Sequence, residues 1–125
     1  MGVVRVFPEL QSIYEELVLE AAQNLEEFSV YSLWADGVMP CIVWPALKAH
    51  DAERLSTFFT YMEPWANHTD SYTRNFVAVE VCEVLLSNRD WYEFSWPLLG
   101  PNLQDSCARL FEYQRTLKTR SNPTD

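Results

Sequence analysis

Apolar residues recur at three- and four-residue spacing from the start of the chain: Leu10, Ile13, Tyr14, Leu17, Val18, Ala21, Leu25 and Phe28. That is the period of an amphipathic helix. Pro8 suits the first helical position and Glu9 suits the dipole there, which predicts a first helix over Pro8 to Glu27. Asp36-Gly37 then signals a turn. The short stretch Val38 to Trp44, partly β-branched and bounded by prolines, predicts an extended segment or an irregular connection. Pro45 opens a short helical turn. Asp51 is a good N-cap for a second helix whose apolar face is Leu55, Phe58, Phe59 and Met62, with Pro64 placed to end it.

A polar connection, Ala66 to Ser71, offers Asp70 as the cap of a third helix, Tyr72 to Leu86. The alternation Val77-Ala78-Val79-Glu80-Val81 has strand character, but about fifteen residues without Gly or Pro exceed a typical strand. As a helix this segment is apolar nearly all round, except for a stripe of Tyr72, Phe76, Glu80 and Glu83. Such a pattern belongs at the centre of a small domain. Ser87-Asn88 ends it, since Asn tolerates the left-handed conformation. Asp90 to Pro101 reads as a short helical turn and a loop. A last helix begins near its cap, Asn102, and carries Leu103, Cys107, Leu110, Phe111 and Leu117 on one face, with a frayed tail over residues 121–125. The expectation is a single all-α domain spanning 1–125, a compact bundle of four main helices plus short helical turns.

Charge changes the picture next. Eighteen Asp/Glu face nine Lys/Arg, a net charge of −9. Phosphate backbones and anionic lipid should repel such a chain, so direct nucleic-acid and membrane binding are disfavoured, whereas a cationic protein would be attracted. The acid is concentrated. No Lys or Arg occurs between Pro8 and Leu47. At 100° per residue Glu9, Glu16, Glu20 and Glu27 fall within about 40° of one another, with Glu15 and Glu26 on the opposite side. A solvated acidic face is one reading; an electrostatic docking surface is the other. Eighteen residues are Phe, Trp or Tyr. Trp65, Trp91 and Tyr92 lie between helices, where they serve either as core or as interface anchors. Glu16, Glu20, Glu27 and Asp36 are therefore the candidate electrostatic contacts, and Trp91 and Tyr92 the candidate anchors.

Site chemistry is sparse. Neither His50 nor His68 has the spacing that puts two metal ligands on one helix face; His68-Thr69-Asp70 in a loop is the nearest approach. Glu80 and Glu83 form a carboxylate pair one turn apart that would serve a small hydrolase, but without companion histidines. Cys41, Cys82 and Cys107 form no disulfide framework, and Cys82, mid-helix, and Cys41, between prolines, are expected to be inert as nucleophiles. Three scattered glycines exclude a phosphate loop. No catalytic residue, metal or cofactor is assigned, and a non-enzymatic protein is expected. The first residues hold no apolar segment long enough for a signal peptide, so none is expected, and the apolar stretch Gly37 to Leu47, interrupted by Pro40 and Pro45, is short for a membrane span. These features point to a cytoplasmic protein.

The run Leu55-Ser56-Thr57-Phe58-Phe59-Thr60-Tyr61-Met62-Glu63, followed by Thr73-Arg74-Asn75-Phe76-Val77-Ala78-Val79-Glu80-Val81-Cys82-Glu83-Val84-Leu85 and by Leu99-Gly100-Pro101, carries a resemblance over about half the chain. It resembles the small helical immunity proteins of bacterial polymorphic toxin and contact-dependent growth inhibition systems. The resemblance implies a cytoplasmic inhibitor of a cognate toxin domain, a nuclease and by preference an RNase, whose basic cleft an acidic protein can occupy. Two alternatives stand beside it: a helical adaptor or regulator in a larger complex, and a hydrolase using Glu80 and Glu83.

Overall fold

The computed structural model describes residues 2–121, with side chains over 2–117, so the expected tail lies almost wholly outside it. Among the described residues every regular element is helical and there is no strand; the fold is all-α. We number the helices α1 (Gly2–Val6), α2 (Gln11–Gln23), α3 (Val30–Ala49), α4 (Ala52–Ala66), α5 (71–86), α6 (Arg89–Ser95) and α7 (Pro101–Ser121). The chain divides into two compact units, Met1–Phe58 and Phe59–Asp125, the boundary falling inside α4.

In the first unit Pro8 opens a 3-10 turn, Pro8–Leu10, that runs into α2. The helix then stops four residues short of the expected Glu27. Leu25 adopts the left-handed conformation (φ 57°), its N–H bonds the Ala22 carbonyl at 3.2 Å, and the Glu26 N–H bonds the Ala21 carbonyl at 2.8 Å. This pair of bonds closes a Schellman motif, which ends a helix by satisfying its last carbonyls. Val18 and Leu25, expected on the inner face, are exposed, and no residue of α2 is fully buried.

The turn expected at Asp36-Gly37 and the extended or irregular segment expected over Val38 to Trp44 are both absent. Residues 34–43 are instead a π-helical stretch within α3, with Pro40 inside it. The buried residues explain how. Leu33, Gly37, Ile42 and Ala46 form one row and Trp34, Val38, Val43 and Leu47 another, each spaced 4, 5, 4. A step of five is a wide turn of the kind the π-helical stretch supplies, and it keeps both rows facing the core. Gly37 is a close-approach residue rather than a turn residue. A Cβ there would stand 3.3 Å from Leu10 Cδ2, 3.4 Å from Leu33 Cδ1 and 3.5 Å from Ile13 Cγ2. Continuous rather than interrupted, α3 is by length and composition (20 residues, mean hydropathy 1.2) the one described helix able to cross a membrane; half of that window is buried in the fold. A second Schellman motif ends it, with His50 left-handed at φ 52° and the Asp51 N–H on the Ala46 carbonyl at 2.9 Å. Asp51 caps α4 as expected, its Oδ1 accepting the Arg54 N–H at 3.1 Å.

In the second unit Pro64 lies within α4, in the last turn before Ala66, and does not end it. Asp70 caps α5: its carboxylate accepts from the Thr73 hydroxyl at 3.0 Å and from the N–H groups of Thr73 and Tyr72. Those bonds, the Thr73 hydroxyl foremost, hold its carboxyl below the ordinary aspartate range. Residues 78–82 of α5 are again π-helical, and Val77, Val81, Cys82 and Leu85 are buried. Asn88 is not left-handed. It is extended (φ −143°) and its side chain caps α6, accepting from the N–H groups of Asp90 at 3.0 Å and Trp91 at 3.3 Å.

The cap of α7 is also not the expected one. The Glu63 carboxylate, 39 residues away in sequence, accepts the Asn102 N–H and, at 3.2 Å, the Leu103 N–H. A Cβ at Gly100 would overlap that carboxylate. Leu103 and Cys107 are buried, whereas Phe111 and Leu117 are 50% and 42% exposed.

Candidate functional site

The end of α2 builds a concavity of the first unit whose charged lining residues are all carboxylates. After the left-handed Leu25 the chain doubles back, and Phe28 packs edge-on against Tyr14 with ring centroids 5.2 Å apart. This contact brings the 24–29 segment over the last turns of α2. The result is a groove of about 180 Å³ lined by Glu20, Asn24, Glu26, Glu27, Ser32 and Asp36 among others. Three sequence-predicted residues, Glu20, Glu27 and Asp36, therefore meet at one place.

Glu16 does not line it and stands exposed on α2. Glu26 joins the groove although helical phase put it on the far side, because α2 ends before reaching it. Asn24, a residue type that favours helix ends, was the one local signal for that. Glu9 belongs elsewhere. It pairs with Arg54, whose guanidinium also lies 5.3 Å from the centroid of the Phe7 ring. The Glu9 carboxyl is held below its ordinary value, first by its own backbone N–H and, against partial burial, by Arg54. The ion pairs found among the described residues involve none of the four groove carboxylates. Their negative potential is left to the solvent side.

Trp91 and Tyr92 lie in the second unit, on α6, and both are half-buried. Tyr92 contacts Trp96 with centroids 5.6 Å apart and lines a groove of about 660 Å³ together with Leu86, Phe111 and the Arg89–Glu93 ion pair. Burial raises the Tyr92 phenol, with the nearby thiols of Cys107 and Cys82 adding to it. Cys82 and Cys107 are free and fully buried. The Cys82 thiol is pushed up by its hydrogen bond with Cys107 and then by burial, the opposite of what a nucleophile needs.

Glu80 is half-buried on α5, and burial followed by the charge of Glu83 raises its carboxyl. In the 66–71 connection His68 stacks on Trp65 at 5.9 Å, and its Nδ1 accepts the Asp70 N–H at 3.0 Å. Arg74 donates to the carbonyls of His68 and Thr69 at 2.7 and 2.9 Å. Those groups serve the loop's own architecture. No group of three or more His, Cys, Asp or Glu residues able to hold a metal ion occurs among the described residues.

An all-α fold among the described residues, with one groove lined by four of the eighteen acidic residues, is the class that fold and site define. The chain belongs to the DUF7674 family, described as a domain of unknown function, which it matches over residues 3–115 and thus across both units. No curated protein and no solved structure matches it.

Proposed function

We propose that this chain is a non-enzymatic inhibitor, an immunity protein that neutralises a cationic toxin domain in the cytoplasm by placing its acidic groove against the toxin's basic surface. The observation that carries the reading is the convergence of Glu20, Glu26, Glu27 and Asp36 on one groove, in a stretch from Pro8 to Leu47 without a single Lys or Arg. Nuclease active sites hold phosphates and are basic, so a nuclease, by preference an RNase, is the partner such a surface would suit. The resemblance of the Leu55–Leu85 region to immunity proteins points the same way.

The test is co-expression with the C-terminal domain encoded by the neighbouring gene, followed by stopped-flow association of the purified pair. Protection from growth arrest and a salt-sensitive complex are expected. Glu20→Lys with Glu27→Lys should slow association roughly ten-fold at low ionic strength and flatten its salt dependence. A complex indifferent to both salt and this reversal would refute the groove as the contact. A stable complex with a partner that does not arrest growth would favour the adaptor reading.

A further inference from the structure

Helix α3 buries one side and leaves the other bare. Away from its two buried rows, exposed residues recur every four positions: Asp36, Pro40, Trp44 and Lys48, with Trp44 40% exposed. Four residues overshoot an α-helical turn of 3.6 and fall short of the wider π-helical turn. The two drifts offset each other as α3 passes from its π-helical stretch into residues 44–49, so the four stay on one face. Cys41 and Pro45, both exposed, flank the row. No charged residue lies between Asp36 and Lys48, which leaves an apolar strip with one carboxylate at its start and one ammonium at its end. The ion pairs found among the described residues use neither of them. At about 1.5 Å per residue they stand too far apart along the helix to pair within one chain.

The order of these residues selects the occupant, because the row complements itself when reversed. In an antiparallel pair of identical helices related by a two-fold axis, residue i of one copy meets residue j of the other and j meets i. Asp36 and Lys48 lie equally far to either side of Ile42, and so do Pro40 and Trp44. An axis passing at Ile42 therefore sets Asp36 of each copy opposite Lys48 of the other and each Trp44 ring over the other's Pro40. We propose that this chain pairs with a second copy of itself through the exposed face of α3, antiparallel, with Trp44 on Pro40 as the apolar centre and an Asp36–Lys48 ion pair closing each end. The chain carries a net charge of −9, but this face carries one charge of each sign and is neutral. The inference does not rest on the reading above. Asp36 borders both surfaces, and the pairing leaves Glu20, Glu26 and Glu27 to the groove.

Sedimentation equilibrium of the full chain over roughly 5–500 µM is the test, a range that covers the weak end of such interfaces. A monomer–dimer equilibrium is expected. Trp44→Ser should weaken it about ten-fold or more. Asp36→Lys and Lys48→Asp should each weaken it about five-fold, since each sets like charges opposite one another at both ends of the pair. Mixed in equal amounts, these two variants should pair with each other about as tightly as wild type pairs with itself, because each supplies the charge the other lacks. Both positions are exposed, so urea midpoints close to wild type should separate lost pairing from lost folding. A short bismaleimide should join two copies through Cys41, the exposed thiol one residue from the axis, while the buried Cys82 and Cys107 stay unreacted. A chain that stays monomeric throughout, a dimer indifferent to Trp44→Ser, or a mixture of the charge variants no tighter than either alone would overturn the proposal. So would a monomer that binds phosphatidylcholine vesicles through Trp44, which would make the face a lipid contact.

Discussion

The cap of α7 offers a prediction whose size follows from the geometry. Glu63 places one carboxylate oxygen on each of two backbone N–H groups, those of Asn102 and Leu103, at the start of a 21-residue helix. A charge-assisted hydrogen bond contributes about 1.5–3 kcal/mol and a carboxylate at a helix N-terminus about 0.3–1 kcal/mol, and these terms overlap here. Glu63→Ala should therefore destabilise the chain by roughly 2–3 kcal/mol. Gly100→Ala should do nearly the same, about 2 kcal/mol, by an indirect route: its Cβ would occupy the space of the Glu63 carboxylate and force it off the helix end. Gly100 has no positive φ, so alanine meets no backbone penalty there.

Once the carboxylate is gone, the added methyl has nothing to displace. Its gain of about 0.4–1 kcal/mol from a stiffer unfolded chain is then offset by the poor capping preference of alanine. In the Glu63→Ala background Gly100→Ala should consequently be neutral within about 0.5 kcal/mol, a coupling of about 1.5–2 kcal/mol between the two sites. Urea titrations of the four proteins, followed by circular dichroism at the helix band, measure the cycle. Additive effects, or a Glu63→Ala protein as stable as wild type, would refute the capping account.

Other expectations follow from burial and close packing. Because burial and then Glu83 raise the Glu80 carboxyl above its ordinary 4.5, the stability contribution tied to that group is complete below 4.5 and is lost as pH rises through the raised value. Glu80→Gln should thus be more stable than wild type at about pH 7, with the advantage vanishing near pH 4; a variant less stable at neutral pH would contradict the burial argument. At Gly37, alanine must fit 3.3–3.5 Å from Leu10, Leu33 and Ile13, a tightness that its better helix propensity offsets, so Gly37→Ala should be close to neutral. Leucine there has no room and should cost about 1–3 kcal/mol in denaturant titration; a Gly37→Leu protein of wild-type stability would show that α2 and α3 do not meet at this point.

The caps at Asp51 and Asp70 were legible because a side chain and the N–H groups it accepts lie within three residues of each other. The periodicity of α4 and α5 was legible for a similar reason: the helix repeat is written in neighbouring positions. At α3 local rules misled. Pro40 and Asp36-Gly37 speak for a break, yet the two buried rows spaced 4, 5, 4 were present in the same residues and speak for a helix that widens between them. Reading them required knowing which face is buried. The candidate acids were found by charge alone, but their grouping was not. Helical phase joined Glu9, Glu16, Glu20 and Glu27, whereas the fold assigns Glu9 to Arg54, leaves Glu16 outside and brings Glu26 and Asp36 in.

What the amino-acid order by itself determined is the helical class, most of the helix starts and the excess of negative charge, all of which depend on residues a few positions apart. Only the tertiary structure decided where α2 stops, which carboxylates share a groove and what caps α7. Those outcomes hang on contacts such as Phe28 on Tyr14 and Glu63 on Asn102, whose partners are separated by 14 and 39 residues of chain. Local propensity carries no information over such separations; packing supplies it, by closing the chain on itself and choosing among ends and faces that are locally almost equal in free energy.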